Sequence, residues 1–359
     1  ALGPGGNGLV DWTIVTMMIG VCISYQVAAA GFLASDSALS FGPYLNTVLT
    51  ALVLLPISLA PDIGFLSKYS KLGLAAILTT FLVIFYHGFQ NYGFSGFSDV
   101  PFNTLYPTSF RSFSHWYGVS SFCFGIAPMT FNVSHSMADP SLMDKACAKA
   151  LTMVFVFYVV FGDGTLLLLT PDGASPITGD ILQSLPATSL MASFVRLSMT
   201  FVCLVSFPLC MVPASEVIES KLFHSTPSNR TPFPLLVATR VALVGLCTVV
   251  AALVPSFVLV VSLIGCLSVG LVTFIFPPLF HYKLTSRLRE AAAAAPASLD
   301  EGEKASLVES GLPPPAPQQS EGSGTDAADI VMLCLGVVST VFTTGMTLAS
   351  VAESVRGGK

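Results

Sequence analysis

Long apolar runs recur along this chain and restrict its fold more than any other feature. A helix needs about 20 apolar residues to cross the hydrocarbon core of a bilayer. Hydrophobic residues make up 53% of the sequence and charged residues 10%, whereas soluble domains carry about 25% charged residues. The sequence therefore predicts an all-α, multi-pass integral membrane protein embedded in a lipid bilayer. The nine predicted spans cover residues 11–34, 44–60, 72–92, 115–137, 148–170, 189–213, 232–254, 256–280 and 329–350.

The fourth predicted span contains two residues that oppose a continuous helix. The run 116–137 has no charged residue, but it includes Gly125 and Pro128. Gly costs a helix about 1 kcal/mol and Pro about 3 kcal/mol, and Pro128 leaves the carbonyl of Phe124 without its usual donor. Hydrocarbon offers such backbone groups no hydrogen-bond partner. A broken helix therefore occurs where protein or ligand atoms supply the partners, as in secondary transporters. We expect irregular backbone from about Phe124 to Thr130; a kinked helix without a ligand is the alternative.

The loops differ in how many lysine and arginine residues they carry. Cytoplasmic loops of membrane proteins have an excess of these residues. Alternate loops carry ten of them, whereas the other loops together with the C-terminal tail carry three. This bias predicts a cytosolic N-terminus and a C-terminus on the far side. The ten are Lys68, Lys71, Lys145, Lys149, Lys221, Arg230, Lys283, Arg287, Arg289 and Lys304, and the three are Arg111, Arg356 and Lys359.

The segment 286–328 differs in composition from the rest of the chain. It is rich in Ala, Pro, Gly, Ser and Glu and has few large apolar side chains, so burial does not offset the entropy lost on ordering. We interpret it as a disordered cytosolic loop. It separates a transporter-like core of eight spans, 1–285, from the last span and a short tail, 329–359.

Polar residues in two other spans are candidates for a site. Ser24 and Tyr25 are adjacent in the first span, where successive side chains point about 100° apart. Thr200 and Ser206 lie in the sixth span, near Pro208, which interrupts the helix ladder. Hydroxyl and freed carbonyl oxygens there suit a hard cation such as sodium. Simple packing, and bonding of each hydroxyl to its own helix, are the alternatives.

Among the ionisable residues within or beside the spans, two histidines and one carboxylate are candidates for a functional role. His115 and His135 bracket the broken span, and histidine titrates near neutral pH. A hydrogen-bonded structural histidine is the favoured interpretation of both, with proton relay as the alternative. Asp163 is the one carboxylate that the span boundaries place well inside a span, and its role stays open.

The sequence lacks the motifs of enzymes and ATP-driven pumps. It has no GxSxG, no HExxH and no phosphate-binding loop. Its eight cysteines form no CxxC pair, so neither a metal site nor a cofactor is predicted. No basic patch indicates a nucleic acid partner. The sequence predicts a protein that is not an enzyme, and it leaves the oligomeric state open.

Three stretches have a further pattern in their order and spacing. They are Phe122, Cys123 and Phe124 with Asn132, Ser136, Met137, Asp139, Pro140, Lys145 and Ala146; Val195, Arg196 and Leu197 with Pro208, Pro213, Glu216, Ile218 and Glu219; and Ile264 and Gly265 with Phe276, Pro277 and Pro278. These stretches resemble the sixth, eighth and tenth spans of the amino acid/auxin permease family of eukaryotic transporters.

The resemblance implies a broken-helix, inverted-repeat bundle like that of amino acid-polyamine-cation transporters. Members have eleven spans, so this chain would begin at the third and lack the first two. The implied function is secondary active transport (symport) of amino acids, coupled to a proton or to sodium. An amino-acid sensor on the same scaffold and a non-functional truncated gene product are the alternatives. The plasma membrane and the vacuolar or lysosomal membrane are not distinguished.

The predicted helix break and the family resemblance together indicate one candidate substrate site and one candidate ion site. Free backbone groups at the helix break would bind the amino or carboxylate group, aromatic side chains would enclose the substrate, and Ser206 would face the same cavity. The substrate residues are Phe122, Phe124, Gly125, Ile126, Ala127, Asn132, Ser24 and Tyr25, and the ion residues are Thr200 and Ser206.

The predicted position of segment 286–328 is open to a protease test. Trypsin added to intact cells that express the full chain with an N-terminal tag will leave the segment uncut, because it faces the cytosol. In permeabilised cells, which serve as the control, trypsin will cut it near Lys304. Immunoblotting of the tag distinguishes the products, and cleavage in intact cells would contradict the predicted orientation.

Overall fold

A computed structural model describes most of the chain. The described residues are 3–59, 70–93, 106–126, 130, 134, 137, 139–169, 179–223, 232–254, 256–294 and 322–357. Within these residues the regular structure is helical and contains no strand. The expectation of an all-α, multi-pass architecture is confirmed.

The structure contains ten α-helices in the described part. They are α1 (Gly3–Ala34), α2 (Pro43–Ser58), α3 (Ser70–Tyr92), α4 (Phe110–Cys123), α5 (Met143–Leu169), α6 (Leu190–Phe223), α7 (Phe233–Leu253), α8 (Phe257–Ile264), α9 (Phe276–Ala294) and α10 (Gly322–Gly357). Two π-helical stretches, Gly265–Val269 and Leu271–Ile275, join α8 to α9 as one continuous rod.

The span count differs from the sequence prediction. Seven helical segments in the described residues are long and apolar enough to cross a membrane, with α8 and α9 counted as one. The other two predicted spans form shorter helices: α2 has 16 residues and α4 has 14. The helix in the predicted span 115–137 begins earlier, at Phe110, and ends at Cys123. Gly125, which opposes helix, follows this end as expected. The apolar run is therefore longer than the helix that it forms.

Helix α6 corrects a second expectation. The sequence predicted an interruption of the helix at Pro208, but α6 continues through Pro208 and Pro213 over 34 residues. A proline removes one ladder hydrogen bond and bends a helix without having to end it. Phe207 and Met211, which flank Pro208, are fully buried in the core. Packing on both sides of the proline therefore keeps the helix intact.

The two helices α9 and α10 extend into the segment predicted as a loop. Helix α9 runs to Ala294 and α10 begins at Gly322. The remaining residues, 295–321, lie outside the described part of the chain. The predicted disorder and cytosolic position of this loop therefore stay predictions.

The core is built around the packing of α1 against α6. One apolar cluster includes Val15 and Cys22 from α1, Phe207 from α6 and Val244 from α7. A second cluster lies at the other end of α1 and α6 and includes Ile84 from α3. Both helices carry apolar side chains on more than one face, which is typical of helices enclosed by others.

Ion pairs at the two ends show that α1 and α6 run antiparallel. Asp11, early in α1, lies 2.7 Å from Lys221, late in α6. At the opposite end, Asp36 follows α1 and lies 3.9 Å from Arg196, early in α6. Antiparallel neighbours are what alternating membrane spans require.

Helix α4 makes a backbone-to-backbone contact with the α8 rod, the continuous helical segment of α8, the two π-helical stretches and α9. A Cβ atom at Gly265 would overlap the carbonyl oxygen of Gly118, and a Cβ at Gly118 would overlap the carbonyl oxygen of Ser262. Only glycine at both positions permits this approach. Small residues perform the same role in other membrane helix pairs, because lipid gives no hydrophobic drive for helices to associate.

Replacing Gly265 with Ala will therefore destabilise the protein. Overpacking of a tight contact costs about 1–3 kcal/mol, so the apparent Tm of the purified protein in detergent will fall by about 3 °C or more. Gly245→Ala is the matched control, because Gly245 lies within α7 and a Cβ atom added there would meet nothing within 4 Å. An equal fall in both variants would show that the α4 contact is not special.

Candidate functional site

The α-helical hydrogen-bond ladder of α4 stops well inside the chain's fourth predicted span. The N–H of Phe124 still bonds the carbonyl of Ser120 at 3.2 Å, as the helix cap. The next two bonds are shorter in sequence, from Gly125 N–H to Phe122 O at 3.1 Å and from Ile126 N–H to Phe124 O at 2.9 Å. The predicted irregular backbone is confirmed at Gly125 and Ile126.

Part of the predicted break lies outside the described residues. The residues of this stretch that are not described are 127–129, 131–133, 135, 136 and 138. They include the candidate residues Ala127, Asn132 and His135. Thr130 is helical, and its hydroxyl donates to the carbonyl of Ile126 at 3.2 Å. Asp139 then accepts from the N–H of Ser141 at 3.0 Å and caps a short 3₁₀ turn.

The carbonyl end of α4 is met by α5. The hydroxyl of Tyr158 donates to the carbonyl of Cys123 at 3.5 Å. The Tyr158 ring also makes an edge-on contact with Phe124, with ring centroids 5.6 Å apart. Helix α5 therefore supplies both a polar and an aromatic partner at the break.

The two phenylalanines proposed to enclose a substrate contact different parts of the bundle. Phe122 packs against the apolar cluster that includes Ile264 and Val269 of the α8 rod. Phe124 instead contacts Phe155 and Tyr158 of α5. Two residues apart on a helix, side chains point about 200° apart, so this divergence follows from helix geometry.

Gly125 and Ile126 differ in the space around them. A Cβ at Gly125 would lie 2.8 Å from Cγ1 of Val269 in the π-helical stretch. A larger residue there would disturb helix packing as well as any ligand. Ile126 is 40% exposed, so its side chain is the better probe of space beside the break.

The candidate residues of the first and sixth spans are only partly brought together. The side chain of Ser206 in α6 lies beside the hydroxyl of Tyr25 in α1. Ser24 donates to the carbonyl of Gly20 at 3.1 Å, and Thr200 donates to that of Arg196 at 2.8 Å. For Ser24 and Thr200 the structure therefore favours the alternative in which each hydroxyl bonds its own helix.

The π-helical stretches between α8 and α9 were missed by sequence reasoning. They lie directly against α4 and α10, and π-helical turns are frequent at functional sites. The available signal was the density of small residues, since Gly265, Ser268 and Gly270 fall within eleven positions of the rod. Composition alone gives no reason for wider turns.

A polar network around Arg196, near the N-terminal end of α6, was also not predicted from the sequence. Arg196 is 1% exposed and donates to the carbonyls of Leu182 at 2.9 Å and Leu185 at 2.6 Å. These carbonyls belong to the short 3₁₀ turn Ile181–Ser184 and the residue after it. Arg196 thus fastens the loop between α5 and α6 to the start of α6.

Two carboxylates near Arg196, those of Asp36 and Asp180, have pKa values shifted in opposite directions. A hydrogen bond from Ser193, together with backbone donors and the charge of Arg196, lowers the pKa of Asp36. Burial raises the pKa of Asp180, whose carboxylate accepts from the N–H of Leu182 at 3.0 Å. Asp180 also lines a cavity of about 380 Å³ between the end of α1 and the start of α8.

In the residues that the structure describes, no group of three or more His, Cys, Asp or Glu side chains is placed to hold a metal ion. Asp163 lies exposed on α5. His115 lies half-buried between two hydroxyls, at 3.3 Å from Ser262 and 3.1 Å from Ser350. The expectation that His115 is hydrogen-bonded is confirmed.

A helix that ends within a bundle of membrane-crossing helices is a feature of secondary transporters. This chain belongs to the family of transmembrane amino acid transporter proteins, whose family model matches residues 1–297. That match bears out the resemblance drawn from the three sequence stretches.

Individual relatives agree with the family. The chain is 26% identical to Amino acid transporter ANT1 of Arabidopsis thaliana over 79% of its own length and 67% of that protein. It is 25% identical to Amino acid transporter AVT3A of Arabidopsis thaliana over 78% of its length and 63% of the relative. Solute carrier family 38 member 10 of Rattus norvegicus is 24% identical over 79% of this chain but only 27% of the rat protein. The matched region is thus about two thirds or less of each of these proteins.

The lowered pKa of Asp36 predicts how stability changes in acid. A carboxylate whose pKa is lower in the folded state stabilises the fold above its unfolded pKa, about 3.9, and this contribution disappears as the pH falls through the folded value. Thermal unfolding of Asp36→Asn will therefore show a lower Tm than wild type at pH 7 and a smaller further fall in acid. Asp144→Asn, which removes an exposed carboxylate that precedes the predicted span 148–170, is the control. Parallel curves for wild type and Asp36→Asn would contradict this account.

Proposed function

We propose that this protein carries amino acids across a membrane by secondary active transport. Two findings support the proposal: membership of the transmembrane amino acid transporter family, and the names of ANT1 and AVT3A as amino acid transporters. The observation that carries it in the structure is the end of α4 at Cys123, among membrane-crossing helices.

The chemistry of the helix end suits one part of an amino acid. Carbonyl groups at the C-terminus of a helix carry partial negative charge and favour a cation. The carbonyls of the last turn of α4, ending at Cys123, are therefore proposed to face the substrate ammonium. Ile126 would lie beside the substrate, and Ala127 and Asn132 are proposed to complete the site. Such backbone groups bind a charged substrate without a formal charge in the membrane, where unpaired charges are costly.

We propose a proton rather than sodium as the driving ion. Sodium binding requires several oxygen ligands at one place, and the predicted ion site offers two side-chain oxygens, those of Thr200 and Ser206. Thr200 lies on α6 and donates to the carbonyl of Arg196, and Ser206 lies beside the side chain of Tyr25. Two hydroxyl oxygens by themselves do not complete a sodium site.

Counterflow in vesicles tests the function directly. The full-length protein is reconstituted into liposomes loaded with one unlabelled amino acid, and the same labelled amino acid is added outside. All twenty are tested in turn, because the sequence does not select one. Accumulation of label above that in empty liposomes supports transport, and its absence for every amino acid would contradict it.

The position of the substrate is tested by a large side chain at the break. Ile126→Trp will reduce counterflow at least about tenfold, because the indole fills space beside the carbonyl end of α4, and a tenfold loss corresponds to about 1.4 kcal/mol. Ile330→Trp is the matched control, since Ile330 is similarly exposed, at 49%, but lies near the start of a different helix, α10. If Ile126→Trp transports as well as Ile330→Trp, the substrate does not bind at this helix end.

A further inference from the structure

His115 connects three helices through its two ring nitrogens. It lies in α4, with Nδ1 at 3.3 Å from Oγ of Ser262 in α8 and Nε2 at 3.1 Å from Oγ of Ser350 in α10. The site of contact is one turn from Gly118, where α4 and the α8 rod touch backbone to backbone. A single side chain therefore ties the half-length helix α4 to both of its neighbours.

Both serine hydroxyls also lie within hydrogen-bond distance of a carbonyl of their own helix. Ser262 donates to the carbonyl of Leu259 at 3.1 Å, and Ser350 donates to the carbonyl of Met346 at 3.2 Å. A carbonyl oxygen only accepts, and a hydroxyl has one proton to give. When both serines donate to these carbonyls, each serine oxygen faces the His115 ring as an acceptor, and the ring donates from both nitrogens.

Only the charged ring makes both contacts while both serines keep their bonds to the helix carbonyls. A neutral imidazole has one N–H donor and one acceptor nitrogen, whereas the imidazolium ion has two N–H donors. With a neutral ring, either one contact is lost or one serine turns its hydroxyl to the ring and gives up its helix carbonyl. The hydrogen-bond arrangement around His115 thus matches the protonated ring.

An ion pair lies near His115. Arg111, one turn earlier on α4, lies 2.9 Å from Glu353 of α10, one turn after Ser350. From the α8 rod the facing titratable group is the thiol of Cys266, which donates to the carbonyl of Ser114 at 3.5 Å. Of the other charged residues on α10, Arg356 follows Glu353 by one turn and Asp329 pairs with His281 near the start of the helix.

We propose that His115 is a proton-binding joint, which holds α4 against α8 and α10 when protonated and releases one of these contacts when neutral. His115 lies nine residues before Phe124, about 14 Å along the helix. Proton binding at one end of α4 is thereby linked to the helix end that the proposed function assigns to the substrate. The coupling role rests on that proposed function, whereas the proton site stands on the local geometry.

The proton site is tested without transport. The full chain, with ¹³C-labelled histidine, is placed in lipid nanodiscs, and the ring signals of its five histidines are followed by NMR from about pH 5 to 9, a range that brackets the ordinary histidine pKa. The signal that disappears in His115→Gln belongs to His115. Ser350→Ala and Ser262→Ala each remove one acceptor of the charged ring, so each will lower the midpoint of this titration by about one pH unit.

The control for the serine variants is Ser198→Ala. Ser198 also donates to a carbonyl four residues earlier, that of Phe194, but is a half-buried residue of α6. It will leave the His115 midpoint unchanged. A midpoint that is the same in wild type, Ser262→Ala and Ser350→Ala would overturn the proposal.

The coupling is tested in liposomes with the amino acid found active in counterflow. His115→Gln will retain counterflow, which needs no net proton movement, but will lose at least about tenfold of the stimulation of net uptake by an imposed proton gradient. His87→Gln is the matched control, because His87 bonds only Asn91 of its own helix among the described contacts. Full stimulation in His115→Gln would overturn the coupling role. Absence of counterflow in wild type would instead refute the proposed function, and the NMR midpoints would still decide the proton site.

Discussion

Hydrocarbon offers no hydrogen bond to a peptide group, and the arrangement of this bundle depends on that constraint. A helix satisfies its interior groups, but its ends do not. Where α4 ends at Cys123, protein atoms take over: the hydroxyl of Tyr158 meets the Cys123 carbonyl, and Gly125 N–H bonds the carbonyl of Phe122. An interrupted helix is tolerated here because neighbouring helices enclose it.

The bundle combines two kinds of helix contact. The packing of α1 against α6 uses large apolar side chains, with Phe207 and Met211 fully buried. The contact of α4 with the α8 rod uses glycine against glycine, at Gly118 and Gly265, with hydroxyl groups on either side. Contacts of the second kind depend on short distances and hydrogen bonds. The gain or loss of one proton by a side chain therefore has more effect there than in an apolar core.

Part of the candidate site was predictable from local chemistry. Gly125 and the proline that follows it oppose helix wherever they occur, so the break could be located without tertiary information. The proximity of Tyr25 to Ser206 could not, because it depends on how two distant helices are rotated toward each other. The same reason explains why Phe122 and Phe124 were grouped in one predicted pocket but contact different helices.

The sequence by itself determined that this protein lies in a membrane and where most of its helices fall along the chain. Apolar runs of bilayer length and a low charge content leave few alternatives to membrane-crossing helices, and three motifs identified the family. Tertiary structure decided which polar groups meet: Pro208 stays within a helix because both flanks are buried, and His115 reaches serines 147 and 235 positions away. A shift of one residue turns a helix face by about 100°, so such pairings are set by helix rotation and packing, which local patterns do not encode.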